Sequence, residues 1–190
     1  MLPEIILASA SPRRAGILRK YGIRFRQESS GADEAGSSVA EFAAMGNACA
    51  KAEDVSRKNP LGIVIAADTV IEFEGRVIGK PKDAGDAVGI LKMLSGKEHL
   101  VTTGVCILYP PGNVNIVFAD LSKVRFRNAD EQTIREYIRR VNVLDKAGAY
   151  ALQESPELII ESVEGDPENV IGLPVRAVES LKYLLARYEN

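Results

Sequence analysis

Six residues, Ser9-Ala10-Ser11-Pro12-Arg13-Arg14, bring two hydroxyls and two guanidiniums together directly behind the apolar run Ile5-Ile6-Leu7-Ala8. Four apolar residues ending in small hydroxylic ones predict a buried strand that reaches a sharp turn. Ser11 suits the cap of a helix, and Pro12 suits the first helical position, where its missing N–H costs nothing. Arg13 and Arg14 then stand in the first turn, at the positive end of the helix dipole. Cations are slightly unfavourable there, so the pair makes most sense around an anion. A helix N-terminus with guanidinium forks is a general way to hold phosphate, with Ser9 and Arg14 expected to touch it. Solvated arginines on an ordinary turn are the alternative reading.

Carboxylates and lysines elsewhere extend that chemistry. Asp68 follows the nearly pure apolar run of residues 61–67. It is therefore expected just past the end of a central strand, where open α/β sheets build their sites. Thr69 extends the polar pair. Glu34 lies in a small, polar, flexible stretch, residues 29–37. Lys51 falls in the middle of an Ala-rich helix, and Lys80 is pinned between Gly79 and Pro81. Each has a bland counterpart: a strand-end turn residue, a solvated loop acid, a solvent-facing lysine. Together they have a logic. The cations can neutralise a polyphosphate, while Glu34 and Asp68 can hold a divalent metal whose bound water attacks phosphorus. Oxygen ligands suit magnesium, or manganese, better than zinc. No Gly-x4-Gly-Lys-Ser/Thr phosphate loop is present.

Composition narrows the partners. The 190 residues carry 24 Lys+Arg against 26 Asp+Glu, a formal charge of −2. Nucleic-acid binding needs a dense basic face, so a small phosphate ligand is the better expectation. Single-strand binding by stacking is disfavoured by an aromatic content of 6%. His99 is the single histidine, and Cys49 and Cys106 are the two cysteines, too few for a Cys/His zinc site. His99 reads as structural, and the cysteines as reduced, half-buried residues of a cytoplasmic protein. No signal peptide is visible at the N-terminus. The uncharged stretch 100–119 is broken by Pro110-Pro111-Gly112-Asn113 and predicts a hairpin instead of a membrane span.

The elements that must position these residues follow from pattern. Gly22 stops the first helix, and alternation over residues 23–28 predicts a half-exposed strand. Ser38-Val39-Ala40-Glu41 reads as a capping box for a helix to about Lys58. Residues 70–73 and 77–78 flank Glu74-Gly75-Arg76 as a hairpin. Asp83 caps a helix to about Leu94, ended by Ser95-Gly96. Two long strands follow, residues 100–109 and 114–126. Residues 130–141 form an amphipathic helix with Ile134, Tyr137, Ile138 and Val141 on one face. Leu158-Ile159-Ile160 predicts a short strand, and Gly172-Leu173-Pro174 leads into a last helix. Asp145-Lys146 with Gly148 marks a packed turn. The fold class is α/β (α+β): one mixed, elongated sheet with flanking helices in a single domain, 1–190.

Six segments in order resemble the Maf proteins. They are residues 7–14, Ala67-Asp68-Thr69-Val70, Gly79-Lys80-Pro81, Leu94-Ser95-Gly96 with His99, residues 145–150, and Gly165-Asp166 with Gly172-Leu173-Pro174. The resemblance covers nearly the whole chain. It implies two lobes around a central cleft, as in the inosine-triphosphate pyrophosphatases. It implies metal-dependent cleavage of a nucleoside triphosphate to a monophosphate and pyrophosphate. Asp68 falls on the proton acceptor, and Arg13, Thr69 and Gln153 fall on the positions of base choice, in the pattern of the dTTP/UTP branch. Glu34, Lys51 and Lys80 match the remaining charged positions. Asn142, Ala151 and Glu154 depart from the family pattern. Alternatives carried by the same resemblance are action on other modified nucleotides such as 7-methyl-GTP, and inhibition of septum formation by binding. No membrane or nucleic-acid partner is expected, and a homodimer is one assembly open to the chain.

Overall fold

The eleven-residue strand Ile63–Phe73 (β3) is the spine of the molecule. The computed structural model describes residues 2–37 and 39–188. Strands Ile5–Leu7 (β1), Arg26–Gln27 (β2), Glu98–Tyr109 (β5), Val114–Phe126 (β6) and Ile160–Glu164 (β7) join β3 in the order β2-β1-β3-β5-β6-β7, and Arg76–Ile78 (β4) pairs with β3. β1 is parallel to β2 and β3, and every other pairing is antiparallel. Helices Pro12–Lys20 (α1), Ala40–Lys58 (α2), Ala84–Leu94 (α3), Glu131–Arg140 (α4), Pro167–Ile171 (α5) and Val175–Tyr188 (α6) complete the fold. The expected mixed sheet with flanking helices is what forms.

One edge of β3 is interrupted, and the interruption makes the site. β1 pairs with Ile63, Val64 and Ile65, while β4 pairs with Ile71, Glu72 and Phe73. Over residues 66–70 the strand pairs with β5 on one side and opens to a cleft on the other. Asp68 and Thr69 sit in that gap. The expectation that Asp68 lies past the strand end is corrected: β3 continues through it, with Asp68 opposite Gly104. The apolar run ends at Ala67 because the cleft begins there, not because the strand stops.

Side chains alternate across a strand, so neighbours serve opposite faces. Val64, Ala66 and Cys106 pack with Ala48, Ala52 and Val55 of α2. Ile63, Ile65, Ala67, Val105 and Ile107 face Ile17 and Leu18 of α1 and Val178 and Leu181 of α6. Further along that second face, Ile71, Val101 and Phe126 pack with Leu91 and Leu94 of α3 and Ile134 and Tyr137 of α4. Between the two apolar clusters runs a row of paired polar residues, Thr69, Thr103 and Asp120. The polar row separates the cores where the cleft enters.

Gly104 fixes how closely α2 approaches. A Cβ there would meet Ala44 backbone C at 2.3 Å and O at 2.4 Å, so only glycine lets the helix lie this close to β5.

Most elements follow their sequence signals. Asp83 accepts from Asp86 N and Asp130 from Thr133 N, as caps should. Ser11 occupies the cap position of α1, but its side chain makes no capping bond. Ser38, the first residue of the expected capping box, lies outside the described residues, and Val39 is the residue at the cap of α2. The hairpin turn is tighter than expected. Glu74 and Gly75, both at positive φ, make it alone, and Arg76 joins β4. Only Arg26–Gln27 of the stretch 23–28 is strand. The last strand starts at Ile160, because Pro156–Leu158 forms a 3-10 turn.

His99 is buried, as its structural reading requires. Its Nε2 lies 2.8 Å from the Tyr150 hydroxyl, and burial pushes its pKa down to about 4, so the ring is neutral near pH 7. Among the described residues no helix is long and apolar enough to cross a membrane.

Candidate functional site

The gap in the sheet opens into a cleft of about 720 Å³. Its polar lining holds Ser9, Arg14, Glu34, Lys51, Asp68 and Thr69. Arg13, Lys80 and Gln153 also border it. All the residues singled out in the sequence therefore come to one cavity.

On the α2 face, Asp68 is 8% exposed. Its Oδ1 accepts from Lys51 Nζ at 2.7 Å, and its Oδ2 accepts from Asn47 Nδ2 at 2.9 Å. Asn47 and Lys51 are four residues apart, hence on one face of α2. Lys51 Nζ also donates to Glu34 Oε1 at 2.7 Å. One ammonium thus bridges the loop carboxylate and the strand carboxylate. That hydrogen bond is the main reason the Glu34 carboxyl is held below the usual range. Lys51 is no solvated surface lysine: its side chain is 13% exposed.

On the opposite face, Arg14 reaches across from α1. Its Nε donates to Gly172 O at 2.9 Å, Nη1 to Ser9 Oγ at 3.1 Å and Nη2 to Thr69 Oγ1 at 3.3 Å. Gly172 has φ +122°, a conformation that side chains resist, and it closes against Thr69 and Arg14. Burial lowers the Arg14 pKa, opposed mainly by the charge of Asp68, yet a guanidinium remains charged at any working pH. All three acceptors are neutral, so none of these hydrogen bonds neutralises the guanidinium charge. Thr103 Oγ1 donates to Asn169 O at 2.9 Å. The 2.9 Å contact between Thr69 and Thr103 is therefore donated by Thr69, whose oxygen accepts from Arg14.

Arg13 pairs with Asp145 at 3.4 Å at the rim. Behind it, Lys146 is 4% exposed and reaches Asp145 Oδ1 at 2.9 Å, Glu154 Oε1 at 3.4 Å and the Asn142 carbonyl. Asn142 and Glu154, two of the places where the chain leaves the Maf pattern, converge on this one buried ammonium. Ala151 N donates to the Tyr137 hydroxyl at 2.9 Å, which anchors the segment leading to Gln153.

Among the described residues no group of three or more His, Cys, Asp or Glu side chains could hold a metal by itself. The donor set near Lys51 is two carboxylates. Magnesium typically takes one or two carboxylates and completes its shell with water and substrate phosphates. The chemistry of Glu34 and Asp68 therefore suits an ion that arrives with a polyphosphate once Lys51, which bridges the two, has turned away.

Asn47, Thr103 and Asn169 were not found by sequence reasoning. Asn47 had a signal: a polar residue of poor helix propensity, one turn before Lys51 in an Ala-rich helix. Thr103 and Asn169 had none, because their roles arise from pairing across the sheet.

Comparison with known proteins agrees over the same span. Residues 4–184 match the family model described as Maf-like protein. The chain is 48% identical over 181 residues to a dTTP/UTP pyrophosphatase of Akkermansia muciniphila, covering 94% of each chain. It is 42% identical to a protein of that name from Thermococcus gammatolerans, covering 95% of this chain and 96% of the relative. A third, from Geobacillus, is 40% identical with 96% and 99% covered.

Proposed function

The chain belongs to the Maf-like protein family, and from that premise we propose that it is a nucleoside triphosphate pyrophosphatase acting on dTTP and UTP. The observation that carries this reading is the Asp68 carboxylate, set in a gap of the sheet and bridged through Lys51 to Glu34, with Arg14 lining the same cleft from the other face. The names of the relatives support the activity and its substrates.

The residues divide the work by charge. Arg14, Lys51 and Lys80 take the triphosphate, with Ser9 and the N-terminus of α1 beside them. As Lys51 turns toward phosphate, Asp68 is left to accept a proton from water. That water attacks phosphorus, the bridging P–O bond between the α and β phosphates breaks, and pyrophosphate leaves with its charge spread over the cations. Glu34 and Asp68 would hold a divalent ion, magnesium or manganese, together with phosphate oxygens. Bound there, the ion would supply Lewis-acid stabilisation of the phosphoryl charge.

Base choice falls to Arg13, Thr69 and Gln153. Uracil and thymine present O2, N3–H and O4, and a Gln amide can donate and accept at once. Gln153 is exposed at the cleft and able to meet that edge. A polar site rejects a base that covers its groups from water and leaves them unpaired, at about 1–3 kcal/mol each. Gln153→Ala is expected to lower dTTP and UTP hydrolysis more than hydrolysis of other triphosphates. Pyrophosphate release over a panel of nucleoside triphosphates, with Mg²⁺ and with Mn²⁺, checks both claims. A wild-type preference of tenfold or more for a purine triphosphate would overturn the pyrimidine assignment and leave the hydrolase intact.

A further inference from the structure

Asn47 is 7% exposed and sits inside α2, where asparagine is a poor helix former. Both ends of its side chain are engaged. Its Oδ1 accepts from Ala35 N at 2.8 Å, and its Nδ2 donates to Asp68 Oδ2 at 2.9 Å. A backbone N–H can only donate, so the amide cannot be turned the other way round. Ala35 directly follows Glu34. The same helix face therefore holds the sheet carboxylate and the acidic loop twice, through Asn47 and, one turn later, through Lys51.

We infer that Asn47 is a positioning residue that clamps Oδ2 of Asp68 to the Glu34-bearing loop and so leaves Oδ1 as the oxygen that takes the proton. This rests on the reading of Asp68 as proton acceptor. The two donors to Asp68 differ in what an arriving triphosphate does to them. Lys51 is an ammonium at the cleft wall and is drawn to phosphate by charge. Asn47 also lines the cleft but is neutral and tied to Ala35, so the charge of a phosphate does not draw it away. When Lys51 leaves, Oδ1 loses its hydrogen bond while Oδ2 keeps its own. The carboxylate is then held at a fixed angle, with Oδ1 released from Lys51 toward the cleft.

The two ends of the clamp can be separated. Asn47→Asp is isosteric and still accepts from Ala35 N–H. While ionised it cannot donate to Asp68, and protonated it ties up the Asp68 carboxylate in a shared proton, so neither state restores the neutral clamp. With UTP, kcat is expected to fall by ~10–100-fold, the scale of a misplaced catalytic group, with KM within about threefold. Hydrogen exchange at the Ala35 amide should stay slow in that variant. In Asn47→Leu, which has lost both bonds, kcat should fall similarly and the Ala35 amide should exchange about tenfold faster or more. Near-UV circular dichroism confirms the folded fraction, and Asn47→Asp carries the kinetic test if the Leu variant does not fold. The proposal is overturned if Asn47→Asp keeps kcat within twofold, or if its loss lies in KM alone. Unchanged Ala35 exchange in a folded Asn47→Leu also overturns it. A wild-type protein that released no pyrophosphate would sink the functional reading instead, and the Ala35 amide would still decide whether the clamp exists.

Discussion

Asp68→Asn is expected to lower turnover of UTP by at least ~10²-fold, the range for removal of a general base. The substitution keeps the size of the side chain and removes its charge and its proton affinity. It also puts one donor too many into a small space. Asp68 now accepts from both Lys51 and Asn47; an amide can accept from one of them only, and its own N–H₂ must face the other. That mismatch should cost about 1–3 kcal/mol of stability. The fold should survive, because Lys51 keeps Glu34 and Asn47 keeps Ala35. Turnover and thermal unfolding of the purified variant check both halves. A variant with near-normal turnover removes Asp68 from the chemistry.

Gly104→Ala should be the most disruptive single methyl. Its Cβ would stand 2.3–2.4 Å from three backbone atoms of Ala44 and Met45. Backbone cannot rotate aside as a side chain can, so α2 must move off the sheet or β5 must bend. Overpacking of this kind costs about 3 kcal/mol or more, at the upper end of its usual range. At the 2–4 °C per kcal/mol expected for a chain this long, the melting temperature should fall by roughly 6–12 °C. Activity should fall beyond the loss of stability, because α2 carries both Asn47 and Lys51 to Asp68. A melting temperature within about 2 °C of wild type contradicts the close approach of α2 to β5.

The sequence made the long elements legible where pattern and punctuation agree. The hairpin of β5 and β6, broken by Pro110-Pro111-Gly112, and the capped helices α3 and α4 follow their signals closely. Short strands did not. Arg26–Gln27 and Ile160–Glu164 are strands because a neighbour pairs with them, and pairing is invisible along one chain. The site residues were legible as types of charge, and the cleft brings Arg14, Glu34, Lys51 and Asp68 together. Their geometry was not. Asp68 looked terminal because an apolar run ended, whereas β3 merely passes from a paired edge to an open one. Lys51 was legible as a candidate cation of the pocket, but not as the ammonium that bridges Asp68 and Glu34, both 17 residues away.

The most direct test is the identity of the products made from UTP in the presence of Mg²⁺. UMP and pyrophosphate should form in equal amounts with the wild-type chain, and at least ~10²-fold more slowly with Asp68→Asn. Release of UDP with inorganic phosphate, or no turnover of UTP or dTTP under either metal, would contradict the pyrophosphatase reading.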